Sequence, residues 1–160
     1  MVNKKLLTKE QALQKLRHYC GYQERCHAEV KEKGYALGLK KTEVEELTSK
    51  LIEEGYLNEE RYAKLFAGGK FRIKQWGRKK IKNELSQRRV SDYCIRKALG
   101  EIQEDEYLQI LHKLAKKKWS SIKGIGNQFI EMTKTRDFLL QRGFEPGLIG
   151  ETLKKIATKK

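Results

Sequence analysis

Apolar residues along this chain return at intervals of three and four. Ala12, Leu13 and Leu16 with Tyr19 form one stripe, and Val44, Leu47, Leu51 and Ile52 form a second. Ala63, Phe66 and Ala67 follow, then Ile81 with Leu85, then Ile95, Leu99 and Ile102. Leu108, Leu111, Leu114 and Ala115 make the next stripe, and Ile149, Leu153 and Ile156 make the last. This spacing lays each set along one face of an α-helix, and nothing in the chain reads as a strand. Helix starts are expected at Thr8, Thr42, Asn58 and Ser91, whose side chains can cap orphan amides. Acidic residues follow the last three closely, where the helix dipole favours them. Gly55, Gly77, Gly100 and Gly143 stand near stripe ends or junctions, and Gly124-Ile125-Gly126 marks a further break.

The stripes themselves repeat. Leu39 and Val44 are matched by Val90 and Ile95, and again by Phe144 and Ile149. Gly34, Leu85 and Leu139 correspond upstream, and Thr48, Leu99 and Leu153, then Leu51, Ile102 and Ile156, correspond downstream. The first helices align less well, although Ala12 and Ala63 keep the same offset. The expected fold is all-α: three tandem three-helix repeats, near 8–56, 58–103 and 105–157, stacked into an elongated, curved array. No small repeat of this kind buries much by itself, so stacking is the natural solution.

Composition sharpens the picture. Charged residues make up 36% of the 160, and 36 Lys plus Arg against 21 Asp plus Glu leave a net charge of +15. Folding holds that surplus together against its own repulsion, and a polyanion relieves it. No apolar run is long enough to span a membrane. The start, Met1-Val2-Asn3-Lys4-Lys5-Leu6-Leu7, lacks a secretory apolar segment. Cys20, Cys26 and Cys94 are odd in number and unrelated in spacing, which suits a reducing cytoplasm better than a disulfide framework. A cytoplasmic monomer is expected.

The surplus is concentrated. Residues 61–89 hold eleven Lys or Arg and one acid, Glu84, and residues 112–123 hold five Lys and no acid. Residues 43–60, by contrast, carry seven acids and one Lys. In the middle repeat Lys70, Arg72, Lys74, Arg78, Lys79, Lys80 and Lys82 surround Phe71 and Trp76, with Arg88 and Arg89 closing the segment. In the third, Lys113, Lys116 and Lys117 precede Trp119. Phe71 and Trp76 taken singly read as core residues. The clusters read as an anion-binding strip, because an ordinary solvated face mixes signs. Cations beside aromatic rings suit phosphate contact with base stacking, and Trp76 and Trp119 are the candidate stacking residues. If about six of these cations touch phosphates, log affinity falls with log salt at a slope near −5.

Catalytic chemistry finds little support. No Gly-rich loop ends in Gly-Lys-Ser/Thr, so phosphate-loop NTPase chemistry is not expected. Ile122-Lys123-Gly124-Ile125-Gly126 has the look of a helix–hairpin–helix turn, though a plain interhelical turn is the expectation. His18, Cys20, Cys26 and His27 lack zinc-site spacing. If residues 23–37 form one helix, Cys26 shares a face with Val30 and is expected to be buried, and Cys26 and His27, as neighbours, point apart. No metal and no cofactor are expected. A metal-dependent nuclease needs clustered carboxylates on the basic face, which offers only Glu84. A free-standing DNA-binding module needs an exposed reading helix rich in Asn, Gln and Arg, and none stands out. Charge alone also allows an RNA-associated protein.

Three stretches resemble a known family. Arg25-Cys26-His27-Ala28-Glu29-Val30 is similar to the Arg-Ser-x-x-Glu-Leu start of the second helix in RecX regulatory proteins. Glu43-Val44-x6-Leu51-x3-Gly55-Tyr56-Leu57-Asn58-Glu59-Glu60-Arg61-Tyr62-Ala63 resembles their Gly-Tyr-Leu-Asp-Asp-x-Arg-Phe-Ala hallmark. Trp76-Gly77-Arg78-Lys79-Lys80-Ile81-x2-Glu84-Leu85-x3-Arg89-Val90 resembles their Gly-x-x-x-Ile-x-x-Glu-Leu-x-x-Lys-Gly-Ile segment. Cys26 replaces the usual Ser, Gly34 an apolar residue and Arg89 a Gly, and Asn58-Glu59 stands for Asp-Asp. Gly34 in a helix costs about 1 kcal/mol relative to Ala and is expected to lose a core contact. The resemblance implies a non-enzymatic regulator of RecA in homologous recombination, DNA repair and the SOS response. It implies binding in the groove of the RecA filament on single-stranded DNA, with inhibition of ATPase, coprotease and strand-exchange activities by blocked growth or disassembly. The strip from Lys70 to Arg89 and Lys113 to Lys117 is the expected contact surface.

Overall fold

A computed structural model of the chain describes residues 7–158, and all regular structure among them is helical. The start in which no leader is expected lies, but for Leu7, outside the described residues. Nine helices follow one another among the described residues in three groups of three. The first group is α1 (Lys9–Tyr22), α2 (His27–Ala36) and α3 (Lys41–Glu53). The second is α4 (Glu59–Arg72), α5 (Arg78–Gln87) and α6 (Asp92–Gly100). The third is α7 (Glu104–Ile122), α8 (Gln128–Gln141) and α9 (Pro146–Thr158).

Three of the four expected caps stand where the sequence puts them. Thr8 Oγ1 accepts from the Gln11 amide at 3.1 Å while Gln11 returns its side-chain oxygen to the Thr8 amide at 3.0 Å. Asn58 and Ser91 accept from the amides of Arg61 and Cys94 at 2.9 and 3.3 Å. Thr42 is a correction: it lies inside α3, which starts behind Lys40. Glu43 sets that start by accepting from the Lys40 amide at 3.0 Å. The same device corrects the expected helix over 23–37. Glu29 accepts from the Cys26 amide at 3.1 Å, so α2 starts at His27 and Cys26 is its N-cap. Gly77 likewise opens α5 as its N-cap instead of closing a helix.

The middle helix of each group ends in one way, and this ending explains the repeat. The amides of Leu39, Val90 and Phe144 donate to the carbonyls of Gly34, Leu85 and Leu139 at 3.2, 3.1 and 3.2 Å. That bond closes a Schellman turn, which needs a left-handed residue between helix and closing residue. Gly38 and Gly143 supply it with φ of 89° and 93°, and Arg89 supplies it with φ of 60°. Gly34, a helical glycine at one of these anchors, leaves no void. A methyl there would stand 3.1 Å from Val44 Cγ2 and 3.7 Å from Leu39 Cδ1, so α3 has closed onto α2 and the expected loss of contact is made good.

Two stripes are turned slightly from their expected faces. Ile52 and Leu108 are 45% and 38% exposed, and Thr48 and Tyr107 take the interior places. Thr48 is tolerated there because its hydroxyl donates to the Val44 carbonyl at 2.6 Å. The buried apolar residues form two clusters. One belongs to α1–α3 and Leu57, around Leu13, Leu16, Val44 and Leu51. The other runs unbroken through α4–α9, around Phe71, Ile81, Leu85, Tyr107, Leu139 and Phe144, and takes in Cys26 from the first group. The accessible surface is 10631 Å² for 18.8 kDa. A compact monomer of that mass exposes about 8300 Å², so the array is elongated.

The second and third groups meet end to end. The amides of Gly77 and Lys79, at the start of α5, donate to the carbonyls of Arg142 and Gly143, at the end of α8, at 2.7 and 2.9 Å. The backbones come so close that a Cβ on Gly77 would overlap Gly143, and a Cβ on Gly143 would overlap Lys80.

Two stability outcomes follow. Arg89→Gly relieves a left-handed non-glycine residue and should raise unfolding stability by about 1 kcal/mol, read from urea midpoints. Gly143→Ala meets both strain and overlap and should cost about 2 kcal/mol or more.

Candidate nucleic-acid interface

Helix α5 begins with a local rule broken. Its first three residues are Arg78, Lys79 and Lys80, with no acid in the first turn and no side-chain cap. Cations at a helix N-terminus face the positive end of the macrodipole and normally cost a few tenths of a kcal/mol each, up to about 1. Here the α8 carbonyls satisfy the α5 amides and set a negative dipole end against the positive one. The turn can therefore carry its three cations.

Arg78 is held in the joint between the groups. Its guanidinium pairs with Glu104 and, at 2.8 Å, with Glu145, and lies 3.8 Å from the Tyr107 ring centroid. Its amide donates to the Tyr107 hydroxyl at 3.0 Å, and that hydroxyl donates to Glu145. Burial opposes the Arg78 charge, and the two carboxylates outweigh it, so its pKa rises. Tyr107 is fully buried against Phe71 and Phe144 at centroid distances of 5.6 and 5.3 Å. Burial first, then the bond to Glu145, pushes its phenol above the usual range.

The other expected residues divide. Arg72 pairs with Glu106 at 3.4 Å, and Arg88 pairs with Glu84 at 2.8 Å while lying 4.8 Å over Phe66. Lys70 and Lys80 stand 5.0 and 4.6 Å from the centroid of Trp76, which is half-buried and packs on the core cluster. Phe71 is core, as the singly taken reading expects. Lys74, Lys79, Lys82 and Arg89 are exposed and in no ion pair among the described residues. Lys113, Lys116 and Lys117 are exposed on one face of α7, and the first two line a cleft of about 520 Å³ with Lys155. Trp119 is half-buried, and its indole N–H is buried without a partner. With Lys116, Lys123, Gln128 and Glu131 it lines a second cavity, of about 750 Å³. Gly124 (φ 92°) turns the chain between α7 and α8.

The groups considered for catalysis or metal are placed otherwise. Cys20 and Cys26 are buried, and burial raises both thiols. His27 Nδ1 faces Glu59 at 3.2 Å. Among the described residues, no cluster of His, Cys, Asp or Glu is arranged to hold a metal ion. No helix there is long and apolar enough to cross a membrane. One cluster escaped the sequence reading: Lys15, His18, Tyr19, Tyr22, Arg25 and Lys33 gather around a cavity between α1 and α2. The spacing of Lys15, Tyr19 and Tyr22 along one helix was its only signal.

Two family models match the chain: RecX, second three-helix domain, over residues 58–99, and RecX, third three-helix domain, over residues 104–160. The chain is similar to the regulatory protein RecX of Thermotoga petrophila, 32% identical over 149 residues, covering 91% of this chain and 81% of that protein. It is 27% identical over 143 residues to the regulatory protein RecX of Bacillus cytotoxicus, covering 89% of this chain and 52% of that one. It therefore spans about half the length of that relative and, at 52%, of the one from Oceanobacillus iheyensis. The crystal structure of RecX from Lactobacillus salivarius superposes with a TM-score of 0.85 at 22% identity, over 93% of this chain and 96% of that one. A second crystal structure of a regulatory protein RecX gives 0.80 at 19%, over 92% and 73%. At those identities the likeness is one of fold.

Joint and strip are separable by experiment. Arg78→Ala leaves Glu104 and Glu145 without their cation and should lower unfolding stability by about 1–3 kcal/mol. Lys113→Gln/Lys116→Gln/Lys117→Gln should leave stability within about 0.5 kcal/mol. The triple variant should flatten the log–log salt slope for single-stranded DNA by about 2, measured by anisotropy titration.

Proposed function

The chain belongs to the RecX family of regulatory proteins, and from that premise we propose that it binds the RecA–single-stranded DNA filament and restrains it. The restraint acts on RecA's recombinase, ATPase and coprotease activities, through blocked filament extension or promoted disassembly. The chain acts in the cytoplasm as a monomer, without a cofactor and without catalysis of its own. Its repeats, 8–56, 58–103 and 105–157, stack as successive modules against the filament groove.

The observation that carries this reading is the basic start of α5 in an elongated helical array, with Lys79 and Lys82 exposed on it. An extended surface of one sign suits a long polyanionic groove better than a compact ligand. Lys74, Lys79, Lys82, Arg89 and the α7 lysines make the contact. Arg78 holds the frame behind them.

ATP hydrolysis by RecA of the source organism on single-stranded DNA, with this protein present below the RecA concentration, tests the reading. The rate should fall. Lys79→Glu/Lys82→Glu should raise the concentration needed for half inhibition about tenfold, the equivalent of about 1.4 kcal/mol. Lys80 is left intact because its stem packs on Gly143. A fall unchanged by the substitutions moves the contact surface. An unchanged rate, with DNA still bound, replaces the regulator with a free-standing DNA-binding module.

A further inference from the structure

The open cleft between α1 and α2 measures about 430 Å³, within the size range of small-ligand sites, and no acidic residue lines it. Tyr19 forms its inner wall. The Arg25 guanidinium lies 3.7 Å over that ring and donates to the Tyr19 carbonyl at 3.1 Å, with Glu29 at 3.9 Å behind it. The Lys33 ammonium stands 5.6 Å from the same ring. Lys15 is exposed one helical turn before Tyr19, and His18 is exposed one turn before Tyr22. Tyr22, the last residue of α1, leaves 78% of its surface in water at the cavity mouth. Lys15 and Lys33 form no ion pair among the described residues.

We propose that this cavity is a binding subsite for one unpaired nucleotide of single-stranded DNA, with the base on Tyr22 and the phosphate held by Lys15, Lys33 and Arg25. An exposed ring beside two uncompensated ammonium groups matches both halves of a nucleotide: a flat apolar face and an anion a few ångströms away. A duplex does not fit, because its base faces are covered by their neighbours. An acidic peptide uses the cations and leaves the ring idle. Arg25 is prepared for the role, since Tyr19 and Glu29 already fix its plane and no ordering is needed on binding. The site belongs to the first group of helices, outside the strip on α5 and α7. It therefore adds a direct DNA contact and does not rest on the filament reading.

The test uses the full chain without RecA and a fluorescein-labelled oligodeoxythymidylate of about 20 nucleotides, followed by anisotropy at about 50 mM salt. Tyr22→Ala should weaken binding about 5- to 20-fold, the range for loss of one base–aromatic stack. Tyr22→Phe, which keeps the ring, should stay within about twofold of the parent. Lys15→Gln/Lys33→Gln should weaken binding and flatten the salt slope by about 1.4. Photocrosslinking to a strand carrying 5-bromodeoxyuridine, mapped by mass spectrometry, should mark Tyr19 or Tyr22. The proposal is overturned if Tyr22→Ala binds the strand like the parent, if the crosslinks avoid α1 and α2, or if the parent does not bind the strand at all. Normal strand binding by Tyr22→Ala with lost RecA inhibition would assign the cavity to a protein partner. Loss of inhibition in Lys79→Glu/Lys82→Glu alone would leave the filament reading standing whatever the cavity does.

Discussion

Every helix leaves unpaired amides at its start and unpaired carbonyls at its end, and in this molecule one such start is closed by one such end. The first amides of α5 find the last carbonyls of α8, 65 or so residues further along the chain. Two glycines, Gly77 and Gly143, allow the approach, and no larger residue fits at either place. Much follows from that contact. It sets the second and third groups end to end, brings Glu104 and Glu145 within reach of Arg78, and seals Tyr107 between Phe71 and Phe144. Opposed dipole ends also let α5 open on three cations with no acid in its own first turn.

The division of labour among the basic residues comes from the same place. Arginines do most of the pairing: Arg78, Arg72, Arg88, Arg61 and, in the first group, Arg17 each hold a carboxylate. A planar guanidinium can grip two partners and lie flat on a ring, as Arg78 does on Tyr107. Several lysines are left to solvent at the ends of flexible stems. At the surface of the first group, Glu46 and Glu54 pair with Lys9 and Arg17.

The repeat was legible because its anchor pairs, Gly34 with Leu39, Leu85 with Val90 and Leu139 with Phe144, are the two residues that close each Schellman turn. A turn geometry fixes their separation, so the sequence must keep it. Thr42 misled because a glutamate reaching back to Lys40 outranks a hydroxyl two residues later. Ile52 and Leu108 misled because a stripe read by period alone does not say which of two adjacent positions faces inward. Arg78 looked like one more surface cation: its carboxylate partners lie 26 and 67 residues away, beyond any local pattern. The cluster around Tyr19 stayed hidden for the opposite reason. Its cations are few, and Glu24, Glu29 and Glu32 dilute them in sequence, although none of the three lines the cavity.

The two hydrophobic clusters have a thermodynamic consequence. Packing that runs unbroken through α4–α9 must be lost as one body, because removing either half strips the other of its covering. The helices α1–α3 own a separate cluster and are tied to the rest by Cys26, by the pairs His27–Glu59 and Glu24–Arg61, and by little else that is apolar. Three repeats in sequence are therefore two units of cooperativity. The join between them rests on one buried side chain, Cys26, and on polar pairs nearer the surface, so the first repeat can open at less cost than the other two.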